Sequence, residues 1–427
     1  PPPSSPPPPP CPPPFPPPSP PPPAPPPAYA DWPATTPSLR PAEYEALRAF
    51  YAAMHGRVWR TSSGWDALSD PCALGGAWYG LSCYNPCYAP IDGDACGLAR
   101  ITTLSLRDNG LVGTLNGSLF EALANVTAVE LGENEVDGFL PTELGELRLL
   151  RALDLGSSLL SGTLPTELGE VGSAGCGTGC LGAGCSAGCS ANLSSHNVSR
   201  SMTKLALGSN LLSGTLPTEL SLLRGLEYLD LSHTRVSGFS PNLSPAPTAL
   251  QFLHLDHTLL SGTLPTLPLS SLPELRSLRL SASALSGTLP PGLFANSTRL
   301  QHLSLSGTRI SGTLPPSLST STTELEHLSL SHTAISGTLP EDIFSSGSLR
   351  SLDALESQIS GSVPIVGASG GDLRSLHVPH TMLEPLQHQF CAQPITVPSR
   401  FNFRWDLAAA VDKPKQTCTE MGHNIAD

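Results

Sequence analysis

The chain has 427 residues, 39% of them apolar, and a formal net charge of −13 at neutral pH. That length can bury a large core, and the acidic balance argues against nucleic acid and anionic membrane surfaces as partners. The sequence holds no apolar run of the roughly 18 residues that a membrane-spanning helix needs.

Residues 1–40 are proline-rich. From Pro1 to Pro27 the prolines are broken only by Ser4, Ser5, Cys11, Phe15, Ser19 and Ala24. Such a run predicts an extended polyproline II segment without a core. Ser5 and Ser19, each followed by a run of prolines, resemble the glycosylated extensin modules of plant and algal cell walls. An inert spacer is the competing reading.

Residues 41–100 read as a cap. A helix opens at Pro41 and closes near Gly56, with Tyr44, Leu47, Tyr51 and Met54 on one face. The stretch W-D-A-L-S-D-P-C-A-L-G-G-A-W-Y-G-L-S-C follows, from Trp65 to Cys83.

Residues 101–385 carry a repeated phrase, cleanest as L-Q-F-L-H-L-D-H-T-L-L-S-G-T-L-P from Leu250 to Pro265. It starts at Ile101, Val126, Leu150, Met202, Leu226, Leu250, Leu275, Leu300, Leu325, Leu349 and Leu373. Starts are 24 or 25 residues apart, except for one gap of 52 that holds a Gly- and Cys-rich insertion over 171–200. Apolar residues fall at offsets 0, 3, 5, 10 and usually 14. Offsets 3 and 5 alternate with polar residues, which predicts a short strand with one buried face. Gly at offset 12 permits a bend, and Pro at offset 15 ends any sheet. No unit can bury its leucines alone, but stacked units can.

These residues resemble the plant-type extracellular leucine-rich repeat, L-x-x-L-x-L-x-x-N-x-L-S-G-x-L/I-P. The resemblance implies an α/β solenoid with a parallel sheet on a concave face, turns and short helices on the convex face, and disulfide-closed caps. It implies that Cys72 pairs with Cys83 at the N-terminal cap, and that Trp65 and Trp78 cover the first repeat. The family's Asn at offset 8 survives only at Asn109, Asn134 and Asn210; Ser158, Thr234, Thr258 and Thr333 replace it elsewhere. A hydroxyl offers fewer partners than an amide, so a less rigid ladder is expected there.

The remaining cysteines fall into local groups, as expected of an oxidising compartment. Cys87 is expected to pair with Cys96, and Cys391 with Cys418 in a C-terminal cap over 386–427. Two further bridges are expected among Cys176, Cys180, Cys185 and Cys189, with zinc as the lesser alternative. Cys11 is left over. Asn116, Asn125, Asn192, Asn197, Asn242 and Asn296 each head a glycosylation sequon.

The concave face, made by offsets 2, 4, 6 and 7, is the natural binding surface. Its candidate ligand-binding residues are Tyr228, Asp230, Phe252, His254, Asp256, Arg279, His302 and His327. Tyr228 beside Phe252 reads as an aromatic anchor. The histidines, with His233, His257, His332 and His380 added at offset 7, read as solvated fillers or as part of a site that weakens on protonation near pH 6, with a metal site at the column neighbours His233 and His257 as the lesser alternative. G-T-G-C-L-G and G-C-S-A-G in the insertion lack the strand and helix that cofactor or nucleophile chemistry requires. No catalytic, metal or cofactor site is expected. The expected function is recognition of a protein, peptide or cell-wall glycan outside the cell. The alternatives are a structural wall glycoprotein and the ectodomain of a receptor-like protein.

Overall fold

A computed structural model describes residues 39–66, 70–72, 78–84, 99–171, 202–239, 248–264, 272–340, 343, 348–360, 375–377 and 402–403. The proline-rich segment, the insertion, the cysteines other than Cys72 and Cys83, and Asn192, Asn197 and Asn242 lie outside these residues.

Each repeat contributes a short strand at offsets 2–4, as in Tyr228–Asp230 and Phe252–His254. Leucines at offsets 3 and 5 turn inward, and Leu229, Leu231, Leu253 and Leu255 are all buried. The strands join into a sheet of 13, ordered as in the chain. Within the repeats neighbours are parallel and pair at equal offsets, so Tyr228 stands opposite Phe252 and Asp230 opposite His254. Strand Ala152–Asp154 pairs directly with Lys204–Ala206, across the gap of 52. The two strands are thus direct neighbours in the sheet.

At the N-terminal edge, strand Leu81–Tyr84 runs antiparallel to Arg100–Ser105. Helix Pro41–Ala53 packs beside it with Trp59, Trp65 and Trp78 buried. The rings of Trp65 and Trp78 lie 4.9 Å apart, and Trp65 Nε1 donates to the Tyr79 carbonyl at 2.8 Å. Cys72 and Cys83 form a disulfide. These large rings are core, not an exposed platform.

The other side of each repeat carries the short helices that the sequence predicts, together with a layer of strands that it does not. Short 3-10 helices are present at Thr142–Glu146, Thr166–Glu170 and Thr218–Leu222, each following a proline. Before them, the Ser-Gly-Thr stretch forms a second layer of parallel strands, in groups of two, three and five. Its register is staggered, so Thr288 stands opposite Ser311 and Thr313 opposite Ser336. The glycine serves this layer rather than a bend. Gly337 has φ +85, and a Cβ there would come within 2.9 Å of Thr313 Cγ2. Serines such as Ser311 and Ser336 each donate to a glycine carbonyl of the previous repeat at 3.3 Å.

Offset 8 sorts the repeats by side chain. Asn134 Oδ1 accepts from the backbone N–H groups of Asn109 and Leu111 in the previous repeat, both at 3.0 Å. Its Nδ2 donates to the carbonyls of Leu106, Leu131 and Gly132. Asn210 repeats the pattern toward Leu160 and Leu155. Thr234, Thr258, Thr308 and Thr333 instead donate only to a carbonyl three residues back in their own repeat. The amide bridges repeats, and the hydroxyl closes a local turn.

This difference predicts unequal costs. Asn134→Ala strands buried donors and acceptors in two repeats and is expected to cost about 3 kcal/mol or more, against about 1 kcal/mol for Thr258→Val. Urea unfolding followed by circular dichroism measures both. Equal losses would contradict the bridging role.

Candidate functional site

Because offsets 3 and 5 face inward, offsets 2 and 4 stand on the open face of the main sheet. The equal-offset register lines them up in columns, with neighbouring strands about 4.8 Å apart. Tyr228 and Phe252 are half-buried there, their ring centroids 5.8 Å apart. His254 turns its edge toward both, 5.5 Å from Tyr228 and 6.2 Å from Phe252. The Tyr228 hydroxyl donates to Asp230 Oδ2 at 3.3 Å. Burial, and then the Asp230 carboxylate, push the Tyr228 phenol up to about 12. Asp230 is itself held by the Ser232 N–H and hydroxyl, at 2.9 and 2.6 Å.

Toward the N-terminal side, Lys204 places its ammonium 6.0 Å from the Tyr228 ring centroid. The same ammonium bonds Asp154 Oδ2 at 2.9 Å, an oxygen that Arg107 also contacts at 2.9 Å. Arg107 also pairs with Glu133 at 2.7 Å. Gly156 and Gly208 keep the floor low, leaving a polar depression of about 220 Å³ that Tyr228 and Asp230 also line. Sequence reasoning did not place Arg107, Asp154 and Lys204 in the candidate site. Their column positions were readable, but their convergence on one buried carboxylate spans the insertion.

Toward the C-terminal side lie Arg279, His302 and His327. Arg279 is exposed. The imidazoles of His302 and His327 stack 4.7 Å apart. Burial, and next Arg279, hold the His254 pKa below its ordinary value of 6.5. Burial, and next His327, do the same to His302. Asp256 is raised by burial and accepts from the Ser281 N–H at 2.9 Å.

At offset 7 the chain has left the strand. His233, His257 and His332 have φ near +54, at 54°, 53° and 55°. They occupy a left-handed turn at the margin of the sheet, not the sheet itself. His233 and His257 stack at 4.3 Å along that margin. Among the described residues no group of three or more His, Cys, Asp or Glu side chains is placed to hold a metal. Asn116 and Asn296 are exposed and Asn125 is partly so, all away from the strands of the open face.

The Leucine Rich Repeat family profile matches residues 299–321 and 324–346. The fold is an α/β leucine-rich repeat solenoid. No curated protein matches the chain by sequence. Among solved structures, the plant peptide hormone receptor RGFR1 in complex with RGF2 is 25% identical with a TM-score of 0.54, over 64% of this chain and 39% of the receptor. A plant ice-binding protein is 22% identical with a TM-score of 0.57, over 79% of this chain and 92% of its own. PEPR1 in complex with AtPEP1 is 20% identical with a TM-score of 0.52, over 85% and 55%. The chain thus spans about two fifths of RGFR1 and just over half of PEPR1. In the described residues no helix is long and apolar enough to cross a membrane.

Proposed function

We propose that the chain is an extracellular, wall- or surface-associated recognition protein that binds a peptide or protein along the open face of its main sheet. The observation that carries this is the Tyr228–Phe252 pair. Two aromatic rings stand half-open on a face lined elsewhere by small, histidine and charged side chains. Aromatic anchors with a polar rim are the usual energetic centre of such surfaces. The solved structure of RGFR1, named as a peptide hormone receptor, supports the reading through a shared fold. The sequons at Asn116, Asn125 and Asn296 would keep glycan off this face. An open row of side chains suits binding rather than catalysis. A cell-wall glycan stacking on the same rings is the alternative partner.

The test is selection of random displayed peptides on the full chain, followed by titration of the selected peptides. Tyr228→Ala with Phe252→Ala is expected to weaken binding by ten- to a hundredfold, since burying one ring contributes about 1.5–3 kcal/mol. The melting temperature should stay nearly constant, because the offset 3 and 5 leucines carry the core. Unchanged affinity, or selection of soluble wall oligosaccharides instead of peptides, would refute the peptide reading.

One observation favours a second reading. Thr263, Thr288, Thr313 and Thr338 are all exposed at one offset of successive repeats, and the first three each stand opposite a serine of the next repeat. A regular array of methyl and hydroxyl groups suits the ordering of water at a crystal surface. The plant ice-binding protein shares the fold along 92% of its length. On this reading the chain slows ice recrystallisation, and Thr288→Lys with Thr313→Lys abolishes the effect. Recrystallisation at the buffer rate with the unaltered chain would remove it.

A further inference from the structure

Beyond the aromatic pair the open face changes character. Strand Ser277–Arg279 carries Arg279 in the column of Asp230 and His254. Strands His302–Ser304 and His327–Ser329 follow, with the two stacked imidazoles at offset 2. The ground between is hydroxyl. Ser281 bonds Ser304, Ser306 bonds Ser329 at 2.6 Å, and His254 Nε2 lies 3.1 Å from Ser277 Oγ.

Arg107 and Lys204 converge on Asp154, and Arg350 pairs with Glu326 at 2.8 Å. Arg279 forms no ion pair among the described residues. The carboxylates that face this group are Asp230, Asp256 and Glu326. Each has other partners: Asp230 is held by Ser232, Asp256 by the Ser281 N–H with His257 nearby, and Glu326 by Arg350. An exposed guanidinium, three imidazoles and a bed of hydroxyl groups remain. Such a set recognises an anion, and a guanidinium binds a carboxylate through two parallel hydrogen bonds.

We propose that Arg279, with His254, His302 and His327, forms an anion subsite that takes an acidic side chain of the peptide anchored on Tyr228 and Phe252. The proposal rests on the peptide reading above and names the partner's chemistry. Arg279 lies one strand beyond Phe252 and one column over. That diagonal corresponds to about two or three residues of an extended peptide, given about 3.3 Å per residue and 4.8 Å between strands. The partner segment therefore carries Asp or Glu two or three positions from an apolar residue.

The histidines give the subsite a pH dependence. Burial and the neighbouring cations keep His254 and His302 below their ordinary 6.5, so both are neutral at pH 7 and Arg279 supplies the positive charge. A bound carboxylate favours the protonated imidazoles, so binding takes up protons. Affinity for an acidic peptide then rises as pH falls below the ordinary histidine range. This is opposite in sign to the weakening that the sequence suggests.

The test is peptide selection on the full chain at about pH 5.5 and about pH 7.5. Selected peptides are titrated against the unaltered chain, Arg279→Met, and His302→Gln with His327→Gln, with thermal melts alongside. The expected peptides carry an acid beside an apolar residue and bind several-fold tighter at the lower pH. Arg279→Met is expected to weaken them about tenfold or more at both pH values, as loss of a charged hydrogen bond does. The double glutamine variant should flatten the pH dependence. Replacing the peptide's acid by its amide should remove the effect of Arg279→Met. Peptides that need Tyr228 and Phe252 but show no acid preference and ignore Arg279→Met would overturn the subsite and leave the peptide reading standing. Failure to select any peptide would overturn both.

Discussion

The structure depends on the backbone ladder that joins each repeat to the next at equal offsets. With the leucines at offsets 3 and 5 turned inward, one strand's pleat decides which side chains every other strand presents. A slip of one residue would exchange the leucines for the open face throughout. The burial of leucines along the whole main sheet therefore holds the register and, with it, the columns. Tyr228 meets Phe252, and His302 meets His327, for no reason other than this register.

The ladder needs a polar partner where the chain leaves each strand, and the two chemistries at offset 8 divide the solenoid. In the first repeats Asn134 and Asn210 tie neighbours together through buried amides. From Thr234 onward the hydroxyl bonds only its own turn. Coupling between repeats there falls to the strands themselves and to the serine and glycine contacts of the second layer. Ser158, between the two asparagines, has a buried hydroxyl without a partner among the described residues. The open face is densest in charge beside the amide-bridged repeats and richest in histidine beside the hydroxyl ones.

Much of this was legible in the sequence because a repeat states its constraints many times. The inward leucines, the pairing of Tyr228 with Phe252 and the weaker bonding of threonine at offset 8 all follow from periodicity and side-chain chemistry. The second layer was not legible, since Ser-Gly-Thr has no apolar alternation and glycine reads as a break. The fit of glycines such as Gly287, Gly312 and Gly337 beneath the previous repeat's threonine explains it. The backbone at offset 7 was not legible for a related reason. Counting along a strand cannot reveal that the chain has already turned left-handed at His233 and His257. The ion cluster around Asp154 was hidden by the insertion, which separates Lys204 from its partner by 50 positions.

The central claim is therefore register, and its most demanding point is the junction across the insertion. Ala152 and Lys204 are direct partners on neighbouring strands. Adjacent strands lie about 4.8 Å apart, within the roughly 4.4–6.8 Å that a disulfide spans between Cα atoms. Cysteines placed at both positions should link on mild oxidation, as read by peptide mapping. Cysteines at Ala152 and Tyr228, two strands apart, should not. Linkage of the second pair, or of neither, would contradict the register on which the fold and its binding face are built.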